Sequence, residues 1–313
     1  MRGSMLIHPE ELSRIWIDKL ADAGVPTLGI HPWGGKKADA SLRGLLEALK
    51  TEEYRGLIDY ARSRGLSVEY EIHVMEYLLP REYFEEHPEY FRMTADGVRD
   101  PRMNFCISNS EAFEIVKKRA AELALSLYGS SHDFYFWMDD GHDLSCQCPE
   151  CRKITASDGQ LVVMRGMLDE IRKHIPDARM AYLAYYDSLV PPACNVSTEG
   201  IFLEYAPLEK YNAKGEDAEE RIRREREMLL PLMKYFDKEP KKVLEYWYDN
   251  SLWSGWKKPP KAFLLNEEKM RADIEEYKAL GFDTVSTFAC FLGDDYRELH
   301  GDFDVAPFGN ALR

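Results

Sequence analysis

The sequence lacks long hydrophobic runs and any excess of positive charge. No apolar stretch approaches the ~20 residues that a transmembrane helix needs, and the first residues show no signal-peptide pattern. Lys and Arg number 41 against 55 Asp and Glu, which gives a net charge of -14. Because nucleic acids and anionic membranes are bound by clustered basic residues, we expect neither as a partner. The same absences predict a cytoplasmic protein.

Cysteine is also scarce, with 6 in 313 residues. Half of them nevertheless lie in one short segment, as Cys146, Cys148 and Cys151. In a reducing compartment, clustered thiols are more typical of metal ligation than of disulfides. Zinc requires a fourth tetrahedral ligand, for which Cys106 is the first candidate and His142 the local alternative. We therefore predict a structural zinc site, with free thiols or a disulfide as the alternatives.

Helical patterns alternate with short β-rich segments along the chain. Strands are predicted at residues 27–31, 67–74, 104–108, 132–139, 179–186, 200–205, 242–248 and 284–291. This alternation predicts an α/β protein with a closed parallel (β/α)8 TIM barrel, and an open doubly wound sheet is the alternative. No Gly-rich phosphate-binding turn follows the first of these strands, and we predict no organic cofactor.

Nothing in the sequence divides the chain into separate units. We find no internal repeat, low-complexity tract or Pro/Gly-rich linker. The first residues, Met1 to Ser4, look like the remnant of an expression tag. The sequence therefore predicts a single barrel domain over residues 5–313, with residues 1–4 outside it.

Polar residues recur at every second position in the segment 67–74. Side chains alternate between the two faces of a strand, so Glu69, Glu71 and His73 share one face. Buried ionisable groups are costly unless they are paired or used in chemistry. We expect Glu69, the deepest of the three, to be structural. Nearer the barrel mouth, His73 is a candidate for binding or metal ligation.

The same alternation of polar residues is predicted in the segment 242–248 and just beyond it. Glu245, Trp247 and Asp249 share one face there, and Glu204 takes a comparable place in the preceding strand. Glu245 is expected to be structural, whereas Asp249 lies near the mouth.

Two adjacent acids end the aromatic segment 134–140. At the carboxyl end of a barrel strand, Asp139 and Asp140 can both reach the mouth. One carboxyl group could then act as a general acid, with its neighbour kept ionised. The structural alternative is that one of them caps the loop that follows.

Five segments resemble a bacterial family of domains of unknown function whose members are often encoded with, or fused to, carbohydrate-degrading modules. These segments are residues 83–91, 104–109, 136–140, 146–151 and 244–252. The likeness extends from about residue 8 to residue 301, which supports one intact domain. It implies a carbohydrate substrate.

More distantly, the acid pair resembles that of β-N-acetylhexosaminidases and O-GlcNAcase-type barrels. This resemblance implies that Asp139 orients the acetamido group of the substrate and that Asp140 is the general acid. It also implies that Tyr246, Trp247 or Asp249 helps to hold the sugar. The thiol loop after the acids is not part of that pattern.

The leading hypothesis is a glycoside hydrolase acting on an oligosaccharide. Its candidate catalytic residues are Asp139, Asp140 and Asp249. Its candidate substrate-binding residues are His31, Trp33, Glu71, His73, Asn104, Glu204, Tyr246 and Trp247. An ordinary retaining mechanism, with Asp249 or Glu245 as the nucleophile, is an alternative. Two further alternatives are a sugar-binding barrel without activity and a metal-dependent sugar isomerase or lyase with Glu71, His73, Glu204 and Asp249 as ligands.

Overall fold

A closed barrel of parallel strands forms the centre of the fold. The computed structural model describes residues 1–212 and 214–313. Within these residues the barrel strands are β1 (Arg2–Ile7), β2 (Thr27–Ile30), β3 (Ser67–His73), β4 (Asp133–Trp137), β5 (Arg179–Ala184), β6 (Ile201–Tyr205), β7 (Lys241–Glu245) and β8 (Thr284–Phe288). Each strand pairs with its neighbour in the chain, and β8 closes the barrel on β1. The predicted TIM-barrel fold is confirmed.

The predicted strands contain two errors that cancel in the count. Residues 104–108 form a loop, in which Asn104 has a φ of 45°. The missing strand is β1, whose first residues were expected to lie outside the domain. Ser4 is fully buried and pairs with Thr27 of β2 and Ser286 of β8. Residues 2–4 are therefore part of the barrel. Their possible origin as a tag stays a prediction, as does the single-domain organisation.

Helices surround the barrel. They are α1 (Arg14–Ala23), α2 (Ala38–Ala48), α3 (Glu52–Ser63), α4 (Met75–Leu78), α5 (Ser110–Ser126), α6 (Ala156–Ile171), α7 (Glu209–Asn212), α8 (Ala218–Tyr235), α9 (Asn250–Trp253), α10 (Glu267–Leu280), α11 (Asp294–His300) and α12 (Ala306–Leu312). The side chains of Thr51 and Asn109 accept backbone N–H groups at the starts of α3 and α5. In the described part of the chain, no helix combines the length and apolarity needed to cross a membrane.

A buried charge network lies inside the barrel, below its mouth. Lys242 of β7 is 2% exposed, and its Nζ lies 2.5 Å from Glu71, 3.2 Å from Glu69 and 3.6 Å from Glu204. Burial raises the pKa of both Glu71 and Glu204. The predicted structural role of Glu69 is confirmed. Glu71 and Glu204, predicted to contact substrate, belong to this network instead, because both lie within 4 Å of the Lys242 ammonium group inside the barrel.

Strand β7 presents the opposite face from the one expected. Leu244 and Lys242 point into the barrel, whereas Glu245 points outward and pairs with Lys210 at 2.6 Å. Trp247 also lies outside the barrel, where its Nε1 donates to Asp273 of α10 at 3.0 Å. Its predicted place at the mouth is wrong. Alternation assigns residues to two faces but does not say which face is inside.

Candidate active site at the barrel mouth

A cavity of about 440 Å³ opens at the carboxyl ends of the barrel strands. Barrels of this architecture carry their sites at that end, and the volume is typical of small-ligand pockets. Aromatic side chains form much of its wall. Among them are Trp33, Trp137, Tyr185, Tyr246 and Phe288. Rings of this kind can pack against the apolar faces of sugars.

Two carboxyl groups line the cavity, and their surroundings differ. Asp140, just after β4, is exposed, and Tyr185 donates to its Oδ1 at 3.5 Å. Asp249, four residues after the end of β7, is 6% exposed. Its Oδ1 accepts from the N–H of Ser251 at 3.0 Å and from that of Leu252 at 3.2 Å. Burial raises the pKa of Asp249 to about 6.

Two tyrosine hydroxyls stand beside these acids. Burial raises the pKa of Tyr246 well above its usual value, and the charges of Asp140 and Asp249 raise it further. Burial and then Asp140 likewise raise the pKa of Tyr185. Both phenols therefore stay protonated at neutral pH and can donate hydrogen bonds.

Three histidines line the same cavity, at the ends of β1, β2 and β3. The Nδ1 of His8 lies 2.9 Å from the carbonyl oxygen of His31, and the Nδ1 of His31 lies 2.8 Å from that of Glu71. The Nδ1 of His73 lies 2.7 Å from that of Met138. Carbonyls only accept, so each Nδ1 carries the proton. Burial lowers the pKa of His8, and it holds that of His31 well below the usual value.

Asp139 is turned away from the mouth cavity. Its Oδ2 accepts a hydrogen bond from Arg81 at 3.0 Å and another from the backbone N–H of Asn104. In return, the side-chain oxygen of Asn104 accepts a hydrogen bond from the backbone N–H of Asp139 at 2.9 Å. Asp139 and Asn104 line a separate small cavity of about 70 Å³. These contacts tie the loop before α5 to the end of β4. They give Asp139 the structural task that was the alternative to catalysis.

The structure gathers about half of the candidate site residues around the mouth cavity. Those that line it are His31, Trp33, His73, Asp140, Tyr246 and Asp249. Those that lie elsewhere are Glu71, Asn104, Asp139, Glu204 and Trp247. Glu71 and Glu204 are held by Lys242, so the ligand set of the isomerase or lyase alternative is not assembled. Over the described residues, the only metal-sized group of His, Cys or acid atoms is the cysteine cluster.

Several lining residues were missed from the sequence. His8 was overlooked because β1 was not recognised as a strand. Trp137 and Tyr185 could have been found from the sequence. Trp137 ends β4 and Tyr185 directly follows β5, and both are aromatic residues on the inner face of the barrel. Trp256 gives no such signal, because it reaches the rim from an irregular loop where its φ is 55°.

The four predicted thiols form one buried cluster. One ligand atom from each of Cys106, Cys146, Cys148 and Cys151 lies within 4.8 Å of the others. The Sγ of Cys106 is 3.8 Å from that of Cys148, and the backbone N–H of Met93 donates to the Sγ of Cys146 at 3.2 Å. Four soft ligands with N–H support suit a closed tetrahedral zinc site.

His142, the alternative fourth ligand, lies outside this cluster. It is exposed, and its Nδ1 is 3.0 Å from the carboxylate of Asp143. The fourth position of the predicted site therefore falls to Cys106.

The closed barrel, with its cavity at the strand ends, defines a protein of the (β/α)8 class. Residues 46–228 match the family described as Domain of unknown function (DUF4838). The match covers more than half of the chain, so the protein belongs to this family, which confirms the resemblance seen in the sequence. No curated protein sequence matches the chain.

Solved structures with a similar fold include three glycosidases. Endo-glycoceramidase II from Rhodococcus sp. has a TM-score of 0.59 at 10% identity, over 100% of this chain and 78% of that one. The β-galactosidase from the psychrophilic Marinomonas ef1 has a TM-score of 0.54 at 12% identity, over 92% of this chain and 54% of that one. A trimodular GH5_4 subfamily endoglucanase has a TM-score of 0.52 at 12% identity, over 100% of this chain and 59% of that one. The chain thus spans about half of the β-galactosidase. At such identities the likeness shows the fold alone.

Proposed function

We propose that this protein is a glycoside hydrolase that uses Asp140 and Asp249 as its catalytic pair. The observation that carries the proposal is that both carboxyl groups line one aromatic cavity at the barrel mouth. Glycosidases cleave between two such groups, one of which donates a proton. The shared fold with endo-glycoceramidase II and a β-galactosidase supports this reading.

The surroundings of the two acids suggest how they divide the work. Asp249 is buried with a pKa of about 6, so it holds a proton at mildly acidic pH, and no described residue donates to its Oδ2. We assign it the proton that the leaving glycosidic oxygen takes up as the C–O bond breaks. Asp140 then attacks the anomeric carbon or activates the water that does. This reverses the role expected from the sequence, where Asp140 is the acid.

The aromatic rim favours a substrate longer than one sugar. Trp33 stacks on His8 with ring centroids 4.4 Å apart, and Trp256 at the rim is 62% exposed. An exposed indole at a cavity mouth offers a stacking surface for a second sugar ring. We therefore retain an oligosaccharide as the substrate class.

Substitution of either acid tests the proposed pair. We expect Asp140→Asn and Asp249→Asn each to lower kcat on a cleaved aryl glycoside by about 10³-fold or more, with unchanged circular dichroism. Asp143→Asn is the matched control, because Asp143 is an exposed acid on the same loop outside the cavity. Full activity in either cavity variant would overturn the assignment.

Azide separates the two roles. Azide can replace a missing carboxylate nucleophile, so we expect it to restore turnover in Asp140→Ala and to form a glycosyl azide. A glycosyl azide of inverted configuration from Asp140→Ala fits a nucleophile, whereas one of retained configuration would restore the assignment in which Asp140 donates the proton, because azide then attacks a glycosyl-enzyme intermediate.

We also propose that the four-cysteine cluster holds one structural Zn²⁺. Cys106 precedes α5, whereas the other three ligands follow Asp140 on the β4 loop. The ion would join these two segments and so hold the loop that carries Asp140. With four protein thiolates the site is closed, and its contribution is to stability rather than to the reaction.

Metal analysis tests the zinc proposal. We expect one zinc per chain in the purified protein and a clear loss of bound zinc in Cys148→Ser. Cys194→Ser is the control, since Cys194 lies outside the cluster. Removal of zinc with a chelator should lower the Tm. A metal-free protein with an unchanged Tm would rule out a structural ion.

A further inference from the structure

We propose that the mouth cavity selects uncharged glycosides and binds their hydroxyl groups through His8, His31 and His73. This inference rests on the hydrolase function proposed above and names its substrate class. Sugars that carry a carboxylate, sulfate or phosphate are excluded from that class. N-acetylated sugars are included, because the acetamido group is uncharged.

The first line of support is the charge of the wall. No lysine or arginine lines the cavity in the described part of the chain, whereas Asp140 and Asp249 both do. Proteins bind anionic groups with arginine, lysine or free helix N-termini. Helix α9, whose Ser251 and Leu252 line this wall, has its first N–H groups occupied by Asp249. An anionic sugar would therefore meet like charge with no compensating partner.

Three cations near the mouth each have a partner within the protein. The Nζ of Lys37 lies 4.0 Å from the centre of the Trp33 ring. Lys258 pairs with Asp295 near the rim. Arg81 is held by Asp139 behind the wall. None of the three cations lines the cavity.

The second line of support is the state of the histidines. His8, His31 and His73 each use Nδ1–H to donate to a main-chain carbonyl. Their Nε2 atoms are left as acceptors, and no described residue donates to them. His8 and His31 are only 5% and 6% exposed, and burial disfavours the charged imidazolium that would attract an anion.

A ring nitrogen that faces a ligand cavity can accept a hydrogen bond from the ligand. Sugar hydroxyls are such donors, and a carboxylate, which only accepts, is not. The three imidazole rings therefore suit the hydroxyl groups of one sugar ring in the mouth cavity. His8 and His31 lie 6.0 Å apart between ring centroids, and His31 and His73 lie 6.1 Å apart.

Matched pairs of ligands test the proposed selectivity without relying on turnover. The unsubstituted protein, which keeps both wall carboxyl groups, is titrated with the 1-thio analogues of 4-nitrophenyl glucoside and glucuronide, and of galactoside and galacturonide, in both anomers, because thioglycosides resist hydrolysis. Binding is followed by calorimetry. We expect the neutral member of at least one pair to bind at least about 10-fold more tightly than its uronide. Equal or tighter binding of the uronides would overturn the substrate class while leaving a sugar site in place. Absence of binding by every sugar would contradict the proposed function itself.

Histidine variants test whether these side chains accept hydrogen bonds from the sugar hydroxyl groups. We expect His31→Phe and His73→Phe each to weaken binding of the best neutral ligand by about 5-fold or more, since each leaves a sugar hydroxyl without its acceptor. His174→Phe is the control, because His174 is exposed and outside the cavity. Unchanged affinity in both cavity variants would refute the role of the histidines. The ligand pairs measured on the unsubstituted protein keep the substrate class testable if a histidine variant fails to fold.

Discussion

At the scale of single residues, Asp140 and Asp249 have the same side chain in two different environments. Asp140 is exposed and receives one long hydrogen bond, whereas Asp249 is buried and its Oδ1 accepts from the start of α9. Burial favours the protonated form and hydrogen bonds from N–H groups favour the charged form. For Asp249 burial dominates, which suits a proton donor.

The pH dependence of activity follows from this residue. Because the pKa of Asp249 is raised to about 6, the protonated form is lost as pH rises through 6. We expect kcat/KM to fall above about pH 6, by up to 10-fold per pH unit. The profile is measured with a neutral substrate. The residual activity of Asp249→Asn should lack this basic limb, and a limb that first appears above pH 8 would exclude Asp249 as the donor.

At the scale of elements, β1 shows how a strand can escape detection. Its sequence, Arg2–Ile7, begins with Arg, Gly and Ser, which have little intrinsic preference for strands. Pairing with both β2 and β8 decides its conformation. The strand also places His8 at the mouth, so missing the element meant missing a residue of the site.

Removal of residues 1–4 should therefore open the barrel. We expect the shortened chain to unfold at least about 10 °C lower than the full chain, because β2 and β8 lose part of their shared partner and Ser4 no longer fills the interior. Thermal unfolding followed by circular dichroism measures this. Deletion of the exposed Arg313 is the control. An unchanged Tm would mean that these residues add nothing to the barrel.

At the scale of the whole molecule, the network around Lys242 connects strands across the barrel. It joins β7 to Glu69 and Glu71 on β3 and to Glu204 on β6. A buried charge group of this kind contributes little over a well-packed apolar core, but loss of one partner leaves the others uncompensated. The single lysine is therefore the vulnerable member.

We expect Lys242→Met to lower the free energy of unfolding by roughly 3–5 kcal/mol. The loss should shrink as pH falls, because protonated glutamic acids no longer need the lysine. Urea unfolding at two pH values measures both effects. Lys241→Met is the control, since Lys241 neighbours Lys242 but lies outside the network. A loss below about 1 kcal/mol at neutral pH would show that the network is dispensable.

The sequence predicted residue positions correctly where strand alternation or the ligand count of a metal was enough to place them. Alternation on β3 correctly placed Glu69, Glu71 and His73 on the inner face, and the cluster with Cys106 followed from the ligand count of zinc. The same alternation failed on β7, because a charged residue can lie on the helix side when a partner such as Lys210 meets it.

The sequence by itself determined the barrel class, the four-cysteine cluster and the placing of Asp140 and Asp249 near strand ends. These follow from local periodicity, from residue chemistry and from the rule that barrels carry their sites at one end. Only the tertiary structure decided that Asp139 faces Arg81, that Glu71 and Glu204 are held by Lys242, and that three histidines share one wall. Each of these depends on partners distant in the chain, which no local pattern records.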